Sequence, residues 1–213
     1  MYAAVLNTSR LTLRPCELID LHQLYLLWTE SGVRRFLLDD RLISQSDAEA
    51  YIRLSLDCFA NHGFGFWVFR LKGESGILGF CGFRIIEDTA EPELLYGLTE
   101  QQWGRGLTAE ATSAIVNFGF AACGLKRIVA VADTANQSSI NVMKRIGLFF
   151  EGREITPEFD RTSYSITWEK WRERTLQGPP PILEERSEAA EEFEGQNSAV
   201  FEPVVETQSL SRE

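Results

Sequence analysis

The sequence predicts a mixed α/β domain, because strand-like and helix-like segments alternate along most of its 213 residues. The strand-like segments, rich in aromatic and β-branched residues, are 10–14, 65–71, 76–86, 93–99, 127–132, 148–155 and 163–171. The helix-like segments, whose apolar residues recur every three or four positions, are 18–28, 46–61, 111–122 and 136–146. Residues 33–43 predict a partly exposed loop or a short helix. The hydrophobic content of 44% is ample for one packed core.

Local signals set several boundaries. Ser46 and Glu49 match a capping box at the start of the second helix. Gly124 fits a helix C-cap, and Gly147 ends the last of these helices. The glycines of segment 76–86 indicate a bulge or a close approach of another backbone.

The negative charge is concentrated at the C-terminal end. From Leu176 onward there are nine acidic and two basic residues, which carry −7 of the net charge of −10 and leave −3 for residues 1–175. A nearly neutral body argues against a nucleic-acid-binding face. We therefore predict one domain over residues 1–176 and an acidic, Pro/Glu-rich disordered tail over residues 177–213. Residues 199–205 are apolar enough to dock on the body or on a partner, although a solvated tail is the favoured interpretation.

Metal and redox motifs are missing from the sequence. The cysteines are widely spaced, at Cys16, Cys58, Cys81 and Cys123. With only His22 and His62 to join them, no zinc ligand set is found, and free thiols in a reducing compartment are expected. No signal peptide or membrane span is found either. The expectation is a cytoplasmic protein without a metal or a membrane partner.

The stretch 102–111 carries the clearest functional signal. Gly104 and Gly106 lie between an apolar strand and an amphipathic helix, where the first helical N–H groups lack partners. Glycine allows a tight turn and close approach of an anion, and the helix dipole adds positive charge, so the loop can hold phosphate oxygens. An isolated Gly-x-Gly is more often a simple turn and cap, and neither a dinucleotide motif nor a P-loop is present.

Four blocks together resemble the GNAT acyltransferase superfamily, in particular the branch with the ribosomal-protein N-terminal acetyltransferases. The blocks are residues 8–15, 93–98, 103–111 and 136–152, and the resemblance covers roughly residues 8–171. It implies a mostly antiparallel central sheet with helices on both faces. It also implies a V-shaped splay between the fourth and fifth strands, 93–99 and 127–132, opened by a bulge near Tyr96 or Gly97.

The resemblance further implies that acetyl-CoA is the co-substrate. The pantetheine arm would pair with the strand residues Leu95, Tyr96, Gly97 and Leu98. The pyrophosphate would be held by the loop residues Trp103, Gly104, Arg105, Gly106, Leu107, Thr108 and Ala109. Asn136 would bond the pantetheine, and Ser139 would lie near the thioester sulfur; the alternative for both is ordinary N-terminal helix capping. Glu110 is expected only to favour the helix dipole.

Two positions depart from the family pattern. Thr108 replaces an alanine near the phosphates, where its hydroxyl could add a hydrogen bond or its β-branch could crowd the loop. Met143 stands where many members have a tyrosine general acid, so Ser139 or a water would have to protonate the leaving thiolate.

The chemistry requires a neutral amine, although free amines mostly carry a proton at pH 7. Glu93, at the entrance of the cofactor strand, is the candidate base, acting through water; the alternative is an exposed carboxylate at a strand end. A backbone N–H near Leu98 would meet the oxyanion. Several aromatic residues could line an acceptor pocket, although core packing is the safer assignment for most: Trp28, Phe36, Tyr51, Trp67, Phe83 and Tyr164.

The predicted function is acetyl-CoA-dependent N-acetylation of a primary amine by direct attack in a ternary complex. On resemblance alone, a protein N-terminal amine is the favoured acceptor. The alternatives are a small-molecule amine (a polyamine, an amino sugar or an antibiotic) and a non-catalytic acyl-CoA-binding protein. The acceptor pocket should come from loops 30–45 and 155–163, and both a monomer and a homodimer remain possible.

Overall fold

The computed structural model describes residues 5–86 and 90–177. Within these ranges the strands are β1 (Leu6–Asn7), β2 (Leu11–Pro15), β3 (Phe66–Leu71), β4 (Gly79–Ile85), β5 (Pro92–Leu98), β6 (Arg127–Asp133), β7 (Phe149–Ile155) and β8 (Asp160–Thr167). The α-helices are α1 (Leu21–Thr29), α2 (Ser31–Leu37), α3 (Gln45–His62), α4 (Leu107–Ala121), α5 (Gln137–Arg145) and α6 (Trp168–Gln177). Short 3-10 turns cover Leu18–Asp20 and Glu100–Gln102. No helix in the described ranges is long and apolar enough to cross a membrane.

The strands form one mixed sheet in the order β1-β2-β3-β4-β5-β6-β8-β7. Its neighbouring strands pair antiparallel except for β5 and β6, which are parallel. One core lies between the sheet and helices α1 and α3, and it includes Leu24, Ile52 and Phe80. The other lies between the sheet and helices α4 and α5, and it includes Ile115 and Ile140. The predicted mostly antiparallel sheet with helices on both faces is therefore confirmed.

The splay between β5 and β6 is also present. The two strands share one register position, Glu93 opposite Val129, and in the described chain the ladder does not extend beyond it. The predicted bulge near Tyr96 or Gly97 is wrong, because β4 and β5 stay in continuous register from Gly79 opposite Leu98 to the other end. Since β5 keeps its regular pairing with β4, the opening lies on its other edge, where β6 separates from it.

Close backbone packing explains the glycines of β4. A Cβ on Gly82 would clash with the carbonyl oxygen of Gly65, and a Cβ on Gly79 would clash with the carbonyl oxygen of Gly97. The second of the two sequence interpretations, a close approach of another backbone, is the one observed. The lack of a side chain lets β4 approach β5 closely at Gly79 and the residue before β3 closely at Gly82.

The capping box of α3 differs from the prediction. Ser44, not Ser46, is the N-cap: its Oγ accepts from the amide of Asp47 at 3.1 Å, and the Asp47 carboxylate accepts from the amide of Ser44 at 2.8 Å. Glu49 instead pairs with Arg53 one turn later, at 2.6 Å. Both sequence registers offer a polar pair at the required spacing, and the chain uses the earlier one, whose acidic member is an aspartate.

The last predicted strand is also wrong in part. Segment 163–171 is not one strand, because β8 ends at Thr167 and α6 begins at Trp168. The helix lets Trp171 stack on Phe120 of α4 at 5.2 Å and donate from Nε1 to Asn117 Oδ1 at 2.7 Å. The uncertain segment 33–43 contains the end of α2 followed by a loop. Gln177 ends α6, and the rest of the predicted tail, residues 178–213, lies outside the described residues.

Candidate active site

A cavity of about 1750 Å³ occupies the opening between β5 and β6. Most of the predicted site residues line it: Glu93, Leu95, Tyr96, Gly97, Leu98, Trp103, Gly104, Gly106, Thr108, Ala109, Asn136 and Ser139. Arg105 and Leu107 are not among the lining residues; Leu107 is fully buried in the core beneath the loop. One wall is thus made by β5 and the starts of α4 and α5, and the opposite wall comes from helices α1 to α3 and the loop before β8.

The glycine loop leaves free donors at the start of α4. Gly104 and Gly106 adopt left-handed φ values of 76° and 73°, and Gly106 is the N-cap of the helix. The amide of Glu110 is the first to bond a carbonyl of this turn, that of Gly106, at 3.2 Å. Among the hydrogen bonds of the described residues, the amides of Leu107, Thr108 and Ala109 have no partner. These donors and the positive end of the helix dipole form a site for an anion.

Three arginines surround this loop, and two of them were not foreseen. A Cβ built on Gly106 would lie 3.4 Å from Nη1 of Arg145 and 3.9 Å from Nη2 of Arg10. Arg10 also donates from Nη1 to the carbonyl of Arg105 at 3.0 Å, while the Arg105 side chain bonds Gln102. The loop is therefore electropositive. The position of Arg145 beside Gly106 could not be predicted from the sequence, because it depends on how α5 packs beside α4.

Glu110 ties the start of β2 to α4, which is more than the expected interaction with the helix dipole. Its carboxylate accepts from Thr8 Oγ1 at 2.6 Å, Ser9 Oγ at 2.9 Å, and the backbone N and Nε of Arg10 at 2.9 and 2.6 Å. Burial acts to raise the pKa of Glu110, but the hydrogen bonds from Thr8 and Arg10 outweigh it, so the pKa is lowered. The charged carboxylate thus fixes the segment that carries Arg10 beside the glycine loop.

The candidate base Glu93 is buried and ion-paired, contrary to the alternative of an exposed strand-end carboxylate. Its exposed fraction is 7%, and Oε2 accepts from Nε of Arg84 at 2.6 Å. Arg84 lies directly opposite Glu93 in the β4–β5 ladder and also lines the cavity. This arginine was missed, although two neighbouring strands carrying opposite charges are a usable signal. The pair fixes one carboxylate oxygen and leaves Oε1 for another donor.

Ser139, at the start of α5, is joined to β5 by Tyr96. The Tyr96 hydroxyl lies 2.7 Å from Ser139 Oγ and 3.0 Å from the Ser139 carbonyl oxygen. Burial raises the pKa of Tyr96, so its phenol stays protonated at neutral pH. Tyr96 was expected only to pair its backbone with a ligand, and the contact of its side chain with Ser139 was not predicted.

Asn136 caps α5, as the simpler alternative held. Its Oδ1 accepts from the amide of Ser139 at 3.0 Å. The carboxamide has two ends, so its Nδ2 can still donate to a group in the cavity. One side chain can therefore serve both of the roles that the sequence left open.

The other wall is aromatic and carries several ion pairs. Of the candidate aromatic residues, Trp28, Phe36, Tyr51 and Phe83 line the cavity, while Trp67 and Tyr164 belong to the core only. Asp39, in the loop after α2, pairs with Arg161 at 3.2 Å. Since Arg161 is the second residue of β8 and lies within segment 155–163, the two segments expected to form the acceptor pocket meet at this ion pair.

The described ranges contain no group of three or more histidine, cysteine or acidic residues that could hold a metal ion. All four cysteines are free thiols, and burial raises the pKa of Cys16 to about 11.

Known proteins share this fold and sequence pattern. A family model described as acetyltransferase (GNAT) domain matches residues 10–148. An uncharacterised N-acetyltransferase, p20 of Bacillus licheniformis, is 30% identical over 152 residues, which cover 69% of this chain and 83% of that protein. Spermidine N(1)-acetyltransferase of Escherichia coli is 24% identical over 152 residues, 69% of this chain and 76% of that protein.

A solved structure shares the architecture. RimL, a ribosomal alpha-N-protein acetyltransferase in complex with coenzyme A, superposes with a TM-score of 0.65 and 18% identity, covering 77% of this chain and 98% of that one. At this identity the likeness concerns the fold. The family match, in contrast, spans well over half of the sequence and includes the glycine loop and α5. The chain belongs to the GNAT acetyltransferase family and is an N-acetyltransferase.

Proposed function

We propose that this protein transfers an acetyl group from acetyl-CoA to a primary amine, by direct attack while both substrates are bound. The proposal is carried by one cavity that joins an anion-binding loop, an unpaired strand edge and a buried carboxylate. When bound, acetyl-CoA supplies a thioester, which is an activated acyl group. Membership of an acetyltransferase family favours this enzyme over a non-catalytic acyl-CoA-binding protein.

The residues of the cavity fit the proposed co-substrate. Among the described residues, β5 has no ladder partner on its β6 side beyond Glu93, so the backbone from Leu95 to Leu98 can bond an extended amide-containing arm. The free amides from Leu107 to Ala109, together with Arg10, Arg105 and Arg145, suit a pyrophosphate. The hydroxyl of Thr108 lies in the same wall, where it can add a further donor. RimL, which has this fold, was solved with coenzyme A.

Glu93 is proposed as the general base. An aliphatic amine must lose its proton before it can act as a nucleophile, and a carboxylate can accept that proton through one water. Arg84 holds Oε2 at 2.6 Å, so the carboxylate keeps a fixed orientation while Oε1 remains available. The negative charge that develops on the acyl oxygen would be met by the backbone N–H near Leu98.

Ser139 is proposed to protonate the leaving thiolate, and Tyr96 is proposed to support Ser139 through a hydrogen bond. A thiolate has a reference pKa of about 8.5, so it needs only modest help to leave. The Tyr96 hydroxyl lies 2.7 Å from Ser139 Oγ, so a hydrogen bond between them can orient Ser139 for this proton transfer. Met143, in the position of the usual tyrosine, is buried in the core and has no acidic proton.

A protein N-terminal amine remains the proposed acceptor. Five acidic side chains line the cavity, Asp39, Asp57, Glu93, Asp133 and Glu154, and five arginines balance them, Arg41, Arg84, Arg145, Arg153 and Arg161. A polyamine carries several positive charges and would need an excess of carboxylates. The fold likeness to RimL agrees with a peptide acceptor, while the sequence likeness to a spermidine acetyltransferase supports a small amine as the second candidate.

The test is release of free coenzyme A from acetyl-CoA with a panel of N-terminal peptides, lysine peptides, polyamines and aminoglycosides. Glu93→Gln should lower kcat by roughly 100-fold to 10,000-fold and leave acetyl-CoA binding intact, since it removes a base and keeps the shape of the side chain. Glu49→Gln, the same change in an exposed ion pair on α3, is the matched control and should keep full activity. Equal turnover by Glu93→Gln and the wild type would eliminate Glu93 as the base.

A further inference from the structure

Helix α2 receives its N-terminal cap from a distant part of the chain. It has only seven residues, and a helix of this length is marginal by itself. Within the described residues, its own N-cap residue, Glu30, makes no side-chain bond to the helix. The amide of Gly32 instead donates to Oε1 of Glu100 at 2.6 Å, and Ser31 Oγ donates to the same oxygen at 3.2 Å. A carboxylate from the turn after β5 therefore caps α2 and favours the positive end of its dipole.

Glu30 returns the interaction, so each of the two segments holds the other. Its Oε2 accepts from the amide of Glu100 at 2.8 Å, and its Oε1 accepts from Thr99 Oγ1 at 2.6 Å. The ring of Trp103 lies against the same place, because a Cβ built on Gly32 would be 2.5 Å from its Cη2. The start of α2 is thus joined to the turn that leads into the glycine loop.

This junction connects the two halves of the proposed site. Four residues of α2 line the side of the cavity expected to receive the acceptor: Gly32, Val33, Phe36 and Leu37. Trp103 lines the cavity from the glycine loop, which is proposed to hold the pyrophosphate. Neither Glu30 nor Glu100 is among the described residues that line the cavity. An effect of Glu100 on either substrate must therefore pass through the elements that it holds.

We propose that Glu100 is a positioning residue, which caps α2 from the cofactor side and so holds the acceptor wall in the place that amine binding requires. This inference rests on the proposed acetyl transfer. Without the carboxylate, the first turn of α2 loses its hydrogen-bond acceptor, and a bound amine has to order the wall at the expense of affinity. The start of α4 is held separately, by Glu110 and Arg10, so acetyl-CoA binding should change little.

Two substitutions at position 100 separate the cap from other roles. Glu100→Ala removes the oxygen that accepts from Gly32, whereas Glu100→Gln keeps a side-chain oxygen that can accept the same bond. Glu49→Ala, in an exposed ion pair on α3, is the matched control. Each protein is assayed with acetyl-CoA and the best acceptor of the amine panel, which gives kcat and both KM values. Hydrogen exchange of the α2 amides measures the cap without turnover.

Glu100→Ala should raise the KM for the acceptor about fivefold, the factor expected for one exposed hydrogen bond to a carboxylate, and should speed exchange in α2. Its kcat and its KM for acetyl-CoA should stay within about twofold of the wild type, as should all values for Glu100→Gln and Glu49→Ala. Faster exchange in α2 with an unchanged acceptor KM would overturn the inference, since Glu100 would then only stabilise the helix. Equal rises of both KM values would overturn it too, since they indicate a general loosening of the site.

Failure of the proposed function looks different. If the wild type acetylates an amine and Glu100→Ala has the same acceptor KM, the inference is overturned and acetyl transfer stands. If acetyl-CoA causes no Tm shift in the wild type and no amine is turned over, the proposed function fails. The inference then fails with it, whatever the exchange in α2 shows.

Discussion

The carboxylate of Glu110 should contribute strongly to stability, because it holds residues 8–10 on the start of α4. Glu110→Gln removes the charge that receives hydrogen bonds from Thr8, Ser9 and Arg10. The Glu110 side chain is only 16% exposed, whereas that of Arg10 is 45% exposed and partly screened by water. We therefore count the network as one charge-assisted interaction of about 2 kcal/mol. In a domain of this size the Tm should fall by about 4–8 °C.

The stabilisation by the Glu110 carboxylate should depend on pH. The pKa of Glu110 is lowered from its ordinary value of 4.5, so the folded state favours the charged carboxylate. The stabilisation is present above the unfolded-state pKa and is lost as the pH falls through the folded-state pKa. The Tm difference between Glu110→Gln and the wild type should stay constant from pH 7 down to about pH 5.5 and close below about pH 4.5.

Calorimetric melting across this pH range measures the difference. Glu49→Gln is the control, because Glu49 makes an exposed i,i+4 pair with Arg53 that should contribute at most about 0.5 kcal/mol. A Tm for Glu110→Gln within about 1 °C of the wild type at pH 7 would refute the reasoning. A difference that persists unchanged at about pH 3.5 would refute the electrostatic part of it.

Three further substitutions test the site and its frame. Tyr96→Phe should lower kcat about tenfold and leave KM for acetyl-CoA unchanged in steady-state assays, because Ser139 Oγ loses the hydrogen bond that orients it; an unchanged kcat would exclude this positioning role. Asn136→Asp should keep the helix cap and the Tm but weaken acetyl-CoA binding in calorimetric titration, whereas Asn136→Ala should also lower the free energy of unfolding by about 1 kcal/mol. Equal acetyl-CoA affinities of Asn136→Asp and the wild type would contradict the role of Nδ2. Gly82→Ala should lower the free energy of unfolding in urea by about 3 kcal/mol, since its new Cβ would clash with backbone atoms. Gly76→Ala, whose Cβ would meet no atom, should change this free energy little, and similar losses for both variants would contradict the close packing at Gly82.

Local patterns were enough to predict the frame of the site. The glycines at 104 and 106, the cap at Asn136 and the alternation of element types follow from nearest neighbours along the chain, so one sequence reveals them. The shared family pattern added the splay, which no local periodicity encodes. The capping box shows the limit of such patterns: Ser46 and Glu49 match the motif, but the helix is capped by Ser44 and Asp47 two residues earlier, with an aspartate where the motif has Glu or Gln.

Contacts between distant segments could not be predicted in this way. Tyr96 reaches Ser139 across 43 positions, and Glu110 binds residues about one hundred positions earlier. Such pairs depend on how α4, α5 and the sheet pack together, which hydrophobic periodicity does not specify. The end of β8 was misplaced for a related reason, because Trp171 is equally compatible with a strand and with a helix until Phe120 is seen beneath it.

The most direct test is mass spectrometry of an acceptor peptide after incubation with acetyl-CoA and the purified protein. Binding of acetyl-CoA to the same protein sample is measured in parallel. The account predicts an acetyl group on the N-terminal amine, formed by the wild type and by Glu49→Gln but not at a comparable rate by Glu93→Gln, with all three proteins binding acetyl-CoA. A wild-type protein that neither binds acetyl-CoA nor modifies any amine offered to it would contradict the account.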